Sequence, residues 1–330
     1  MKFKILIVLS FVLTVFFTSC NDDTTVMGNW VTQSFFTGWE RSNGTYFAFD
    51  SIGFWGMGKD DDDYLLDFWK YNAKDDSWSQ VDSFPGTARA YNICVSTKSK
   101  GYVGLGYDGD VDLKDFWEYD PIADKWTQIE DFPGGARRYA SAFAIGDDIY
   151  VGLGTMDNDK KYMNDFYKYS NGKWSTIKPL KGEKRRKANV VTLNGKGYVI
   201  SGDHNKALTD FWQYDPATDS WTQFADIDDE DTGNSAVARN DAAVFASQGN
   251  IYLVGGTTGS SALSSVYEYN MADSIWTEKT SIETSVTRQG AGYFLIDGMG
   301  YIIGGHNGSR YLADFYKFEP WIEKNLKDNN

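Results

Sequence analysis

Residues 126–154, WTQIEDFPGGARRYASAFAIGDDIYVGLG, and residues 164–177, NDFYKYSNGKWSTI, decide the fold. Within them RYASAFAIG, DIYVGLG, NDFYKYS and KWSTI read as four short strands. Turn residues such as Gly146-Asp147-Asp148 and Asn171-Gly172 stand between them. No segment of helical period interrupts the run, so the unit is all-β. Its tryptophan recurs at Trp30, Trp78, Trp126, Trp174, Trp221 and Trp276, in steps of 48, 48, 48, 47 and 55 residues. The phrase around it recurs as well, as WSQVDSFPGTAR from Trp78 and WSTIKPLKGEKR from Trp174, while Trp221 and Trp276 begin WTQ and WTE. A period of this length marks one supersecondary unit repeated along the chain.

Each unit holds an Arg, a Gly 17 residues later, an Asp about nine beyond that and the Trp about 11 further on. A lone four-stranded antiparallel sheet exposes two faces and two edges, whereas several arranged around an axis bury their faces on one another. That arrangement is a β-propeller. Glycines at Gly104 and Gly106, Gly152 and Gly154, Gly255 and Gly256, and Gly304 and Gly305 suit crowded strands.

An apolar strand ending in Gly-Gly or Gly-x-Gly, then a spaced Tyr (Tyr71, Tyr119, Tyr169, Tyr214, Tyr269) and the Trp, resembles the kelch family over about 290 residues. The forms GMG at Gly56–Gly58 and ISG before Asp203 depart from its diglycine. The last unit runs from Arg288 through Gly305 and Asp314, yet Asn325 stands where its Trp belongs. Trp30 has no strands before it and precedes Arg41 by one Trp-to-Arg interval. The expectation is therefore a single six-bladed kelch-type propeller over residues 29–323, in which residues 29–36 complete the blade formed by 288–320. Residues 324–330 would form a tail.

The chain starts MKFKILIVLSFVLTVFFTSC, with basic Lys2 and Lys4 and an apolar run of 13 residues from Ile5 to Phe17. That run is short of the roughly 20 residues a membrane-crossing helix needs, so residues 1–19 read as an export signal. The FTSC stretch resembles a bacterial lipoprotein signal, which implies acylation of Cys20 and a tether over residues 20–28; ordinary secretion with Cys20 removed is the alternative. Asn21, Asp22 and Asp23 resemble the acidic start of lipoproteins sent to the outer membrane, so the expected location is the cell envelope. Without residues 1–19 the chain carries 30 basic and 46 acidic side chains, a net charge of −16. Such a balance argues against nucleic acid as a partner. With Cys20 lipidated, Cys94 is the one thiol left, so no internal disulfide forms. The body is expected to be monomeric, touching membrane only through its lipid.

Arg41, Arg89, Arg137, Arg185, Arg239 and Arg288 occupy one equivalent position in six units. Strand direction puts them on one rim, at the channel mouth. Guanidiniums roughly 10 Å apart in an effective dielectric near 20 repel by about 1.7 kcal/mol per pair, and six such terms rival a domain's stability. Asp67, Asp115, Asp165, Asp210 and Asp314 share the rim, so an Arg–Asp belt is one expectation. A mouth that binds a protein or an anionic carbohydrate through the arginines is the other, implied by the kelch resemblance. Ser265 replaces the Asp in blade five and makes Arg239 the candidate free donor. Kelch propellers also include sialic-acid mutarotases, which implies an enzymatic alternative with Asp203, His204 and His306 as weak catalytic candidates. Galactose oxidase-type copper enzymes have seven blades and a cysteine–tyrosine cofactor, whereas Cys94 lies in an inner-strand pattern, YNICV, that suits a small buried apolar role. Acidic runs at Asp60–Asp63 and at Asp226, Asp228, Asp229, Glu230 and Asp231 leave calcium open, but they lack EF-hand spacing. No cofactor and no metal site is assigned.

Overall fold

The computed structural model describes residues 26–227, 237–282, 286–325 and 327. The signal segment, Cys20, residues 21–25 and the run Asp228–Asp231 lie outside the described residues. Among those described, six four-stranded antiparallel sheets form a six-bladed propeller with no helix. In blade three, Ser141–Ile145, Asp148–Gly152, Phe166–Ser170 and Lys173–Ile177 follow one another from the axis outward. The inner strands Thr45–Phe49, Ile93–Ser96, Ser141–Ile145, Asn189–Leu193, Ala243–Ser247 and Gly292–Ile296 touch their neighbours in a closed circle. Second strands are covered on both faces by adjacent blades, so DIYVG is buried from Ile149 to Gly152, whereas the outermost KWSTI is largely exposed.

The recurring tryptophan stitches one blade to the next. The indole N–H of Trp126 donates to Asp82 O, that of Trp174 to Glu130 O and that of Trp221 to Lys178 O, each on the chain leaving the preceding blade. Beside it Tyr119 and Tyr214 donate to Asp124 and Asp219. Those carboxylates in turn accept the backbone N–H of Asp82 and Lys178 in the preceding blade.

The glycine that every blade keeps is the second of each pair. At Gly154 φ is +89°, and a Cβ would lie 2.7 Å from the Arg138 carbonyl of the adjoining strand entry. The position before it also has positive φ, yet it accepts Met57, Leu105, Leu153 and Ser201 as well as Gly255 and Gly304. The diglycine is thus dispensable at its first member, which is why the motif varies while the fold does not.

The sixth blade is Gly292–Ile296, Met299–Ile303 and Phe315–Glu323, completed by Met27–Thr32. Trp30 faces Phe318 across an antiparallel register. This strand starts two residues before the boundary drawn at residue 29 and stops at Thr32 rather than 36. Phe36 explains the difference, since it is buried against Trp69 and Trp78 of blade one and belongs to the seam between the first and last blades. Trp30 is fully buried, lies 4.7 Å from the Phe318 ring and donates to Thr280 O of blade five at 3.0 Å. Replacing Trp30 by Ala should cost about 3–5 kcal/mol, the usual range for a buried Trp. A urea midpoint equal to that of the parent chain would refute closure of the ring by this strand.

Candidate functional site

The six arginines are built into the blades, none more than 1% exposed. Arg89 shows why. Its Nε donates to Thr87 O, its Nη1 to Leu105 O, and its two terminal nitrogens grip Asp115 at 2.6 and 2.7 Å. Its face lies over the Phe84 ring. Arg41, Arg137, Arg185 and Arg288 grip Asp67, Asp165, Asp210 and Asp314 in the same way. Arg239, the expected free donor, is equally enclosed: it donates to Val237 O, Gly255 O and both oxygens of Ser265 and stacks on Tyr267. The expectation that these arginines line a binding mouth is therefore corrected. They form the belt, and their terminal nitrogens are engaged within their own blades.

The mouth is made by the residues two positions further on. Asn43, Tyr91, Tyr139, Lys187, Asp241 and Gly290 all have left-handed φ, between +52° and +60°. Each donates its backbone N–H to the carbonyl of its counterpart in the preceding blade: Tyr91 to Asn43, Tyr139 to Tyr91, Lys187 to Tyr139, Asp241 to Lys187, Gly290 to Asp241 and Asn43 to Gly290. The six bonds, 2.7–3.3 Å long, close head to tail around the channel. This ring and the tops of the inner strands enclose a cavity of 120 Å³. Tyr46 and Tyr293, 4.3 Å apart between ring centres, border it together with Cys94. They also border the apolar shaft that opens toward the other end, lined by Ala48, Ser96, Ala144, Thr192, Ala246 and Leu295. The two tyrosines thus separate a polar cup from an apolar shaft. Cys94, expected as a small buried apolar residue, packs against the core between blades one and two and also borders both spaces, and burial pushes its thiol up to about 12.

Aromatic rings and cations surround the cup. Tyr91 and Tyr139 pack at 4.6 Å, and Lys187 reaches over Tyr139 while pairing with Asp241 at 3.3 Å. Burial, with the neighbouring charges of Tyr139 for the one and Asp241 for the other, holds both hydroxyls far above the usual tyrosine range. They are proton donors at any physiological pH. Arg138 lies 3.6 Å above the Tyr107 ring and is bound to Asp112. Arg186 joins Asp203 and Asp159 and stacks beside Tyr139 and Tyr162. Lys59 differs, because its ammonium sits between Tyr64 and Tyr311, 5.9 and 5.8 Å from their centres, and makes no ion pair among the described residues. Burial alone would lower its pKa, but Tyr311, Tyr91 and Tyr64 hold it above the usual lysine value, so it stays charged.

Of the sequence candidates, Asp203 is committed to Arg186. His204 stacks on Tyr162 at 4.5 Å, and His306 accepts the Gly308 N–H at Nδ1 beside Tyr311. The two histidines rest on separate loops. Among the described residues no group of three or more His, Cys, Asp or Glu is placed to hold a metal ion. The cup residues escaped the sequence reading because the constant Arg drew attention from the variable position beside it.

Two stretches, residues 184–226 and 238–281, match the family model of the kelch motif, and they span blades four and five. The chain is thus a six-bladed β-propeller in which two blades match the kelch motif. The solved structure of YjhT superposes with a TM-score of 0.72 over 84% of this chain and 95% of that one, at 15% identity, a likeness of fold alone. No curated protein matches the chain in sequence.

Burial alone would raise the Asp67 and Asp115 pKa values, but hydrogen bonds and charge from Arg41 and Arg89 overrule it and hold both below the ordinary aspartate value. Stability from these pairs is present above the unfolded aspartate pKa and is lost as pH falls through the lowered folded values. Unfolding midpoints should fall on acidification below about pH 4, and Asp115→Asn should flatten part of that slope. An unchanged slope in the variant would show that the belt is not the acid-labile element.

Proposed function

We propose that this propeller is a binding module whose tyrosine-lined cup takes the carboxylate-bearing residue of an acidic sugar. Kelch propellers serve as binding scaffolds, and two blades here carry that motif. The observation that carries the reading is Lys59, a half-buried ammonium framed by tyrosines with no carboxylate partner among the described residues. In a chain of net charge −14 such a cation is a place kept for an anion from outside. Tyr91 and Tyr139 add fixed hydroxyl donors, and aromatic faces suit the C–H faces of a sugar ring. The Asp203 and Asp241 carboxylates are already neutralised, which favours holding a ligand over moving its protons. We further propose that Cys20 tethers the body in the cell envelope, on the strength of the leader sequence, and Cys20→Ser should shift the protein from the membrane fraction to the soluble one.

Titration calorimetry with glucuronic acid and N-acetylneuraminic acid tests the cup. Binding of either should drop about tenfold or more in Lys59→Met, since a hydrogen bond to a charged group contributes about 1.5–3 kcal/mol. The melting midpoint should hold, because Lys59 has no ion pair to lose. Binding of neither acid, or equal binding by the variant, sinks the reading. Accelerated anomer exchange of a bound sugar, seen by NMR, would move the assignment from module to enzyme.

A further inference from the structure

A second cavity, of 720 Å³, lies on the outer flank of blade one between the segment after Phe36 and the loop before Phe68. Trp39 stands at it with 73% of its surface exposed, the second-largest exposure of a large apolar side chain among the described residues. Trp69, half-buried against Phe36, also lines it, its indole N–H already given to Asp67. Thr37, Asp63 and Gln80 bring exposed side chains with no side-chain hydrogen bond among the described residues. No Lys or Arg lines this space. Tyr64 belongs to both sites, since it lines the groove and also frames Lys59 at the mouth.

We infer that the ligand is an oligosaccharide, with an acidic sugar at Lys59 and uncharged sugars running past Tyr64 onto Trp39. This deepens the function proposed above and rests on it. Three features select the direction. Among the described residues the groove holds the unpaired Asp63 carboxylate and no Lys or Arg, its Asp67 being neutralised by Arg41, so it repels an acidic sugar, while the mouth holds the unpaired ammonium. Its polar groups are a hydroxyl, a carboxylate and an amide, which exchange hydrogen bonds with sugar hydroxyls. The Trp39 indole is largely exposed and the half-buried Trp69 borders the same space, so a flat aromatic face is available for the C–H face of a pyranose ring. The cavity also falls in the volume range of small-molecule sites, about 300–1,000 Å³, whereas the 120 Å³ cup holds no more than one sugar's polar end.

The test uses matched probes: glucuronic acid with a trisaccharide that ends in it, N-acetylneuraminic acid with sialyllactose, and lactose as the neutral control. Whichever acid binds, its trisaccharide should bind at least tenfold tighter to the parent chain. Trp39→Ala should reduce that ratio to about one without changing the affinity for the acid alone. The Trp39 side chain is exposed and its backbone carbonyl, which Arg41 uses, is retained, so the melting midpoint should not move. Lys59→Met should weaken acid and trisaccharide together. A ratio near one in the parent chain, or a ratio that Trp39→Ala leaves intact, overturns the groove while the cup stands. Absence of binding by both acids removes the cup, and the groove with it.

Discussion

The buried arginine at the start of each blade is the constraint from which the rest follows. A guanidinium taken out of water is tolerated only where its charge and donors are met, and at Arg89 an aspartate, two carbonyls and an aromatic face meet them. Held in this way, the arginine fixes the path of its own backbone. Its carbonyl takes the N–H of the preceding blade's glycine, as Arg89 does from Gly58 and Arg137 from Gly106. Two residues later the chain turns left-handed and joins the ring at the mouth. One side chain thus anchors its blade, joins it to a neighbour and aims the residue that lines the mouth.

That hierarchy explains what was legible in the sequence. The blades were, because Trp126, Tyr119 and Gly106 each meet the same packing need in every unit and therefore recur. The strand from the leading end was legible from the missing tryptophan at Asn325, although its limits were not, because Phe36 looks like strand and serves as a seam residue. The cup was hidden for the opposite reason. Asn43, Tyr91, Tyr139, Lys187, Asp241 and Gly290 share a backbone shape and nothing else, so a search for repeated chemistry passes over them. The constant arginines drew the functional reading because charge at a propeller mouth suggests recognition, yet constancy in every blade was itself the sign of a structural duty. A residue that binds one asymmetric ligand has no reason to appear six times.

Asymmetry also separates Lys59 from the other cations. Arg138, Arg186 and Lys187 are balanced by Asp112, Asp203 and Asp241, so they stiffen the rim and contribute little net charge. Lys59 alone among these four stands in an aromatic frame without a counter-ion, at the side where the wall of blade one opens into the groove. The surrounding acidic surface makes that single positive point more selective, since an anion is turned away everywhere else nearby.

The ring of backbone bonds at the mouth has one more effect. A peptide unit carries a dipole of about 3.5 D, and in a helix such dipoles line up into an axial field. Here they follow one another around a circle, so the components that lie in the plane of the ring largely cancel over the six blades. The ring is a constant bezel, and the five side chains set in it, with Gly290 left bare, write the sign and shape of the site without disturbing the metalwork beneath.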